Sequence, residues 1–317
     1  VAVERLAVGD LVLTLDGRRL PINWIGTGQS LLPHGRRSPA TPVIVRAGAL
    51  ADGVPRRDLR VTKGHSLYLE GVLIPVENLI NHRTILWDDK ARSVVVYHVE
   101  LDTHEVLLAN GAAAESYRDD GNRVQFQNVN PDWDIVPVVE PFAPIVTNGP
   151  LVAALWQRLL RRARPRAPIP LTEDPDLHLL VDGARVAPSL ARHGIHAFEI
   201  AAGATQVRIG SRNDIPSELG LNHDQRRLGV AVQRIVLHQP GLKLAIDAES
   251  SALDTGFQQY EGGSGFRWTD GAGLIPPAML AVFTPDQPIN IEVYVACSAR
   301  YRAPGRKRRR VKLALAA

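Results

Sequence analysis

The sequence predicts an all-β chain: two successive β modules, the second most simply a sandwich, joined by one amphipathic helix. Three observations carry this. Short β-branched runs recur every ~8–12 residues between Gly and Asp punctuation. Helical periodicity is confined to one sustained stretch, residues 151–163. A segment rich in Pro, Val and Asn over 130–150 separates two strand-rich regions. At 317 residues the chain is long enough for two domains of the common ~100–150 residue size. The expected division is a β module over 1–128, a connection with its helix over 129–169, a second β domain over 170–302, and a basic tail over 303–317.

In the first module the apolar run 11–15 ends at Asp16-Gly17, a hairpin signal, and strand character resumes over 19–25. Further strands are expected over 42–46, 59–62, 66–69, 72–75 and 93–101, with one helical piece over 75–81. In the connection, Leu151, Leu155, Leu159 and Leu160 share a helix face while the arginines lie largely on another, so the helix should dock on a domain; lying on a membrane surface is the lesser alternative. Strand runs then return over 177–181, 197–200, 206–210, 228–237, 242–246 and 289–296, again broken by Gly-containing turns.

Hydrophobic residues at 45% and charged residues at 22% are ordinary for a globular chain. No apolar run approaches the ~20 residues that a membrane-spanning helix needs. The net charge of +4 is unevenly spread: Arg158, Arg161, Arg162, Arg164 and Arg166 lie in the connection, and a second basic group from Arg300 to Lys312 lies in the tail. The remainder is net acidic. A basic tail can bind nucleic acid through counterion release, but a solvated end is the favoured reading. Cys297 is the only cysteine, so no intrachain disulfide can form. Val1 leads directly into strand-like sequence without a leader pattern, as expected if the chain starts partway into a domain or its start is misassigned.

Three ordered segments carry the chemistry. Val8-Gly9-Asp10-Leu11-Val12-Leu13-Thr14-Leu15-Asp16-Gly17 is followed by Val61-Thr62-Lys63-Gly64-His65-Ser66-Leu67-Tyr68-Leu69. Then Tyr97-His98-Val99-Glu100-Leu101-Asp102-Thr103-His104 runs on to Ala109-Asn110-Gly111. Together they resemble the Hint family, shared by Hedgehog C-terminal domains and inteins, over about two fifths of a chain of bacterial type. The resemblance implies self-cleavage through an acyl shift from backbone nitrogen to a side-chain sulfur or oxygen and a thioester, with no metal or cofactor. It also implies that the substrate is the protein's own upstream segment, and it points to secretion or the cell surface.

By the same resemblance Thr62 and His65 fall on the family's Thr-x-x-His motif, His65 acting on the scissile amide and Thr62 positioning it. His98 stands where inteins usually carry Asp, His104 lies near a family histidine, and Asp102 is a further candidate base. If the strand continues, alternation puts His98, Glu100, Asp102 and His104 on one face. That face is either an active-site wall or a solvated surface. Two departures qualify the resemblance. The family's nucleophile lies further ahead of Gly9 than the eight residues present, so the acting Cys or Ser is expected upstream of Val1. In place of a terminal His-Asn the strand runs into Ala114-Glu115-Ser116-Tyr117, which disfavours splicing.

Other signals are weaker. His193 and His196 have a spacing that could serve a metal, but no third ligand accompanies them. Gly26-Thr27-Gly28 lacks the rest of a dinucleotide loop. Arg267, Trp268 and Asp270 follow a glycine-rich loop and could bind carbohydrate, Trp268 stacking on a sugar face. That gives the alternative reading of the chain, a binding protein on a degenerate Hint scaffold; a core Trp268 is slightly favoured over it.

Overall fold

The computed structural model describes residues 1–34, 37–129, 139–165 and 167–304. Among these residues strands predominate, helices are few, and every sheet is antiparallel, so the chain is all-β. The tail from Gly305 onward and residues 130–138 of the connection lie outside the described residues. The chain divides into two compact units, Val1–Arg166 with Gly220–Gln225, and Ala167–Leu219 with Arg226–Ala317.

The first unit contains eleven strands: β1 (Leu11–Leu13), β2 (Arg19–Pro21), β3 (Trp24–Leu31), β4 (Val43–Val45), β5 (Leu59–Val61), β6 (Ser66–Leu69), β7 (Val72–Pro75), β8 (Ile85–Trp87), β9 (Ser93–Glu100), β10 (Val106–Ala109) and β11 (Ala112–Glu115). They pair as β1-β2, β3-β9, β5-β4-β8 and β10-β11-β6-β7. Turn chemistry sets the tight hairpins: Glu70-Gly71 and Asn110-Gly111 occupy positive φ in the two-residue connections β6–β7 and β10–β11. β8 and the β10–β11 pair stand out only weakly in the sequence, because all three runs are short and β11 is nearly all Ala. The helix expected over 75–81 is a single 3-10 turn, Val76–Leu79. Asn81 limits it, since its side-chain carbonyl accepts the amides of Arg83, Thr84 and Ile85 and turns the chain toward β8.

The amphipathic helix is α1 (Pro150–Arg162), and it belongs to the first unit. Val152, Leu155 and Leu159 enter one core with Val43 and Val45 of β4, Leu67 of β6 and Ile74 of β7. Trp156 is fully buried, and its indole N–H donates to the Ile80 carbonyl at 2.8 Å. Two helix arginines have partners within the unit: Arg158 pairs with Glu70 at 2.7 Å, and Arg162 pairs with Asp52 and donates to the Gly48 carbonyl. No described helix is long and apolar enough to cross a membrane.

The second unit is built on two larger antiparallel sheets. One contains β13 (His178–Val181), β14 (Ala184–Val186), β17 (Val207–Gly210) and β21 (Ala272–Leu274), after the short β12 (Leu171–Thr172). The other contains β15 (Leu190–Arg192), β16 (Ile195–Ile200), β18 (Val230–Gln239), β19 (Leu242–Asp247), β20 (Arg267–Trp268) and β22 (Ile289–Ser298). Leu179, Val207 and Ile209 from the first sheet and Phe198, Ile235 and Ile291 from the second share one buried core.

The docking of α1 makes a quantitative prediction. Leu159 is 1% exposed within the first unit's core. Leu159→Ala removes three buried carbons and should lower the stability of that unit by about 2–5 kcal/mol, read by urea denaturation.

Candidate active site

The site is assembled around the turn that joins β5 to β6. Thr62 follows β5 and is half-buried; its carbonyl accepts the His65 N–H at 3.1 Å. The His65 carbonyl accepts the Val76 N–H at 2.9 Å, and the Lys63 carbonyl accepts the Glu77 N–H at 3.1 Å. Both backbone groups of His65 are therefore engaged, which fixes the position from which its side chain leaves the chain.

His98 reaches the same place from β9. Its ring centroid lies 6.4 Å from that of His65 and packs edge-on against Phe126 at 4.9 Å and Tyr117 at 5.7 Å. Trp24 of β3 completes this aromatic wall, 5.3 Å from both Tyr117 and Phe126, with the Arg123 guanidinium 4.2 Å over its ring. Arg123 pairs with Glu100 and Asp119. Gly26, which resembles part of a dinucleotide loop in the sequence, has a packing role here. A Cβ on it would lie 2.3 Å and 2.5 Å from Trp24 ring atoms.

His104 completes the group by a different route from the expected one. β9 ends at Glu100, so the alternation stops there: His98 and Glu100 share a face, whereas Asp102 and His104 do not lie on the strand. Leu101 turns into the core beside Ile22 and Ile25, and the chain reverses through Asp102 and Thr103. Asp102 is exposed, and its carboxylate accepts the Asn23 amide. His104 is buried, and its Nδ1 accepts the Phe142 N–H at 2.9 Å. In the neutral ring the proton must then sit on Nε2, which points at Glu115 Oε2 from 3.6 Å. That distance is an electrostatic contact rather than a formed hydrogen bond, and Nε2 has no hydrogen-bond partner.

Glu115, at the end of β11, is the residue that the sequence reading passed over. Its Oε1 accepts the Ser66 N–H at 2.6 Å, one residue beyond His65. The signal was present but faint: a lone acid closing an otherwise Ala-only strand in the described structure. The electrostatics are mutual. Burial pushes the Glu115 carboxyl up, but His104, the charge of His65 and the Ser66 amide outweigh it and hold the group below its ordinary value. Burial pushes the His65 imidazole down, opposed by Glu115 and reinforced by His104. His98 is pushed down to about 4, chiefly by burial and then by His65.

The remaining candidates lie in the second unit. Arg267 is buried, and its guanidinium donates to the Ser250 and Leu253 carbonyls. Trp268 is half-buried against Phe266, with ring centroids 5.8 Å apart. Asp270 Oδ1 accepts the Ala272 N–H at 2.9 Å. Adjacent on β20, Arg267 and Trp268 face opposite ways. His193 sits with Gly194 in the β15–β16 turn, both at positive φ, and His196 lies on β16. Among the described residues no three His, Cys, Asp or Glu side chains form a group that could hold a metal ion.

Compared with known families, residues 1–121 match the family model described as a Hint domain. No curated protein and no solved structure matches the chain.

Two expectations follow from this geometry. An unfolded histidine titrates near 6.5, whereas His98 titrates near 4 in the fold, so acid favours the unfolded chain. The stability His98 contributes is intact above pH ~6.5, falls as pH drops through about 4, and amounts to roughly 2–3 kcal/mol. In urea titrations between pH 7 and 4, His98→Gln should lose less stability than the unsubstituted chain. Gly26→Ala should cost about 1–3 kcal/mol at constant pH by displacing the Trp24 ring, visible as altered tryptophan fluorescence.

Proposed function

We propose that the chain, which carries a Hint domain over residues 1–121, is a self-processing protein in which His65 assists cleavage of the peptide bond on the N-terminal side of that module. The observation that supports this most directly is the gathering of His65, His98, His104 and Glu115 around a backbone turn whose own hydrogen bonds hold His65 in place. A solvated polar surface would give no such burial.

The chemistry that suits these residues is an acyl shift. The side-chain thiol or hydroxyl of the residue that opens the module attacks the preceding carbonyl carbon. The C–N bond then breaks, and the acyl group passes to sulfur or oxygen. One proton must travel from the nucleophile to the departing amide nitrogen, which is too poor a leaving group without it. An imidazole whose pKa is pushed down by burial is neutral near pH 7, so His65 can take the proton. Once loaded, it is a stronger acid than a free histidinium and hands the proton on readily. The thioester or ester that results is open to water or another nucleophile. The aromatic wall of Trp24, Tyr117 and Phe126 flanks His98 and limits water on that side.

The test is expression with the native residues ahead of Val1 in place and a reporter fused before them. A fragment should appear, and hydroxylamine or a thiol should accelerate its release. His65→Ala should slow that release by at least ~100-fold. Because His65 is held below the ordinary histidine value, the rate should persist to lower pH than a free imidazole allows before falling. Release that His65→Ala leaves unchanged would overturn the assignment.

A further inference from the structure

We propose that Glu115 is the positioning residue of this site, its carboxylate holding the Ser66 amide and facing the His104 ring while standing as the negative charge beside His65. The inference rests on the role given to His65 above, but its test does not.

The geometry that carries it is two-sided. At 2.6 Å the Ser66 N–H to Glu115 Oε1 contact is short even for a charge-assisted bond, and it ties the first residue of β6 to the last residue of β11. The two strands share one register pair, Ala114 with Leu67, so the carboxylate reinforces a ladder that is otherwise minimal there. On the other side, the Phe142 amide fixes the His104 tautomer so that Nε2–H is directed at Oε2. The carboxylate is thus held through Oε1 by the amide, while Oε2 stands in electrostatic contact with the imidazole at 3.6 Å.

The groups that face His65 are His98 from β9, His104 from the turn after it and Glu115 from β11; Lys63 of its own turn is paired with Glu77 at 3.2 Å. Of the three facing groups only Glu115 is an acid. It opposes burial and the neighbouring imidazole, so that His65 does not lose its proton affinity altogether. Glu105 is the informative contrast. It is the immediate sequence neighbour of His104, but Arg18 holds it at 2.9 Å and the Thr103 hydroxyl at 2.8 Å.

The experiment is a histidine titration followed by NMR on the chain labelled with 15N-histidine, with His65→Gln used to assign the His65 signals. Glu115→Gln preserves the shape and an oxygen for the Ser66 amide but removes the charge. The His65 midpoint should then fall by about one pH unit, a tenfold loss of proton affinity. Glu105→Gln should leave it in place. A His65 midpoint that is unchanged or raised in Glu115→Gln, or that falls equally in Glu105→Gln, would overturn the proposal. The readout does not involve cleavage, so it decides the role of Glu115 even where no fragment is found.

Discussion

The Ser66 amide is the point on which the site depends. One backbone N–H, bound at 2.6 Å by a carboxylate from another strand, joins the β5–β6 turn to the β10–β11 hairpin. On one side of that bond the Thr62 and Val76 backbone groups hold His65. On the other, the Glu105 amide donates to the Ser66-independent partner Ser116 Oγ at 2.9 Å, while the Ser116 amide donates to the Glu105 carbonyl at 2.8 Å. The hairpin is thus carried past β10 to the level of His104. The proposed reaction on the backbone needs such anchoring, because a soft turn would let the imidazole drift from the bond it serves.

The burial of the site has two consequences that pull in opposite directions. It keeps His65 and His98 neutral at ordinary pH, which readies them to accept a proton. It also makes their protonated forms costly, so the chemistry and the stability of the first unit share a common sensitivity to acid. Glu115 opposes the effect of burial at both rings, while aromatic rings pack against His98.

How much of this could be read from the sequence depends on how local each determinant is. Thr62 and His65 belong to one four-residue turn, and their relation is written in adjacent positions. The strand around His98 follows from a β-branched run, and His98 and Glu100 share a face as alternation requires. Alternation fails after Glu100 because Leu101 is drawn into a core with Ile22 and Ile25, a contact more than seventy residues away in sequence. His104 and Glu115 meet only through the register of β10 on β11, Val106 opposite Glu115, which short Ala-rich runs do not announce. For the same reason the amphipathic face of α1 was plain, whereas what it covers required the fold.

That covering has a consequence for how the chain can be divided. The Ile80 carbonyl accepts both the Trp156 indole and the Gln225 side chain, so residues well beyond the matched 1–121 complete the first unit. With Gly220–Gln225 counted in that unit, the polypeptide passes between the two units three times. A single nick after residue 165 would leave Gly220–Gln225, a part of the first unit, on the piece that carries the second, and a gene fragment cut at the edge of the family match would lack part of its own core. Membership of a unit in this chain follows packing rather than order along the sequence.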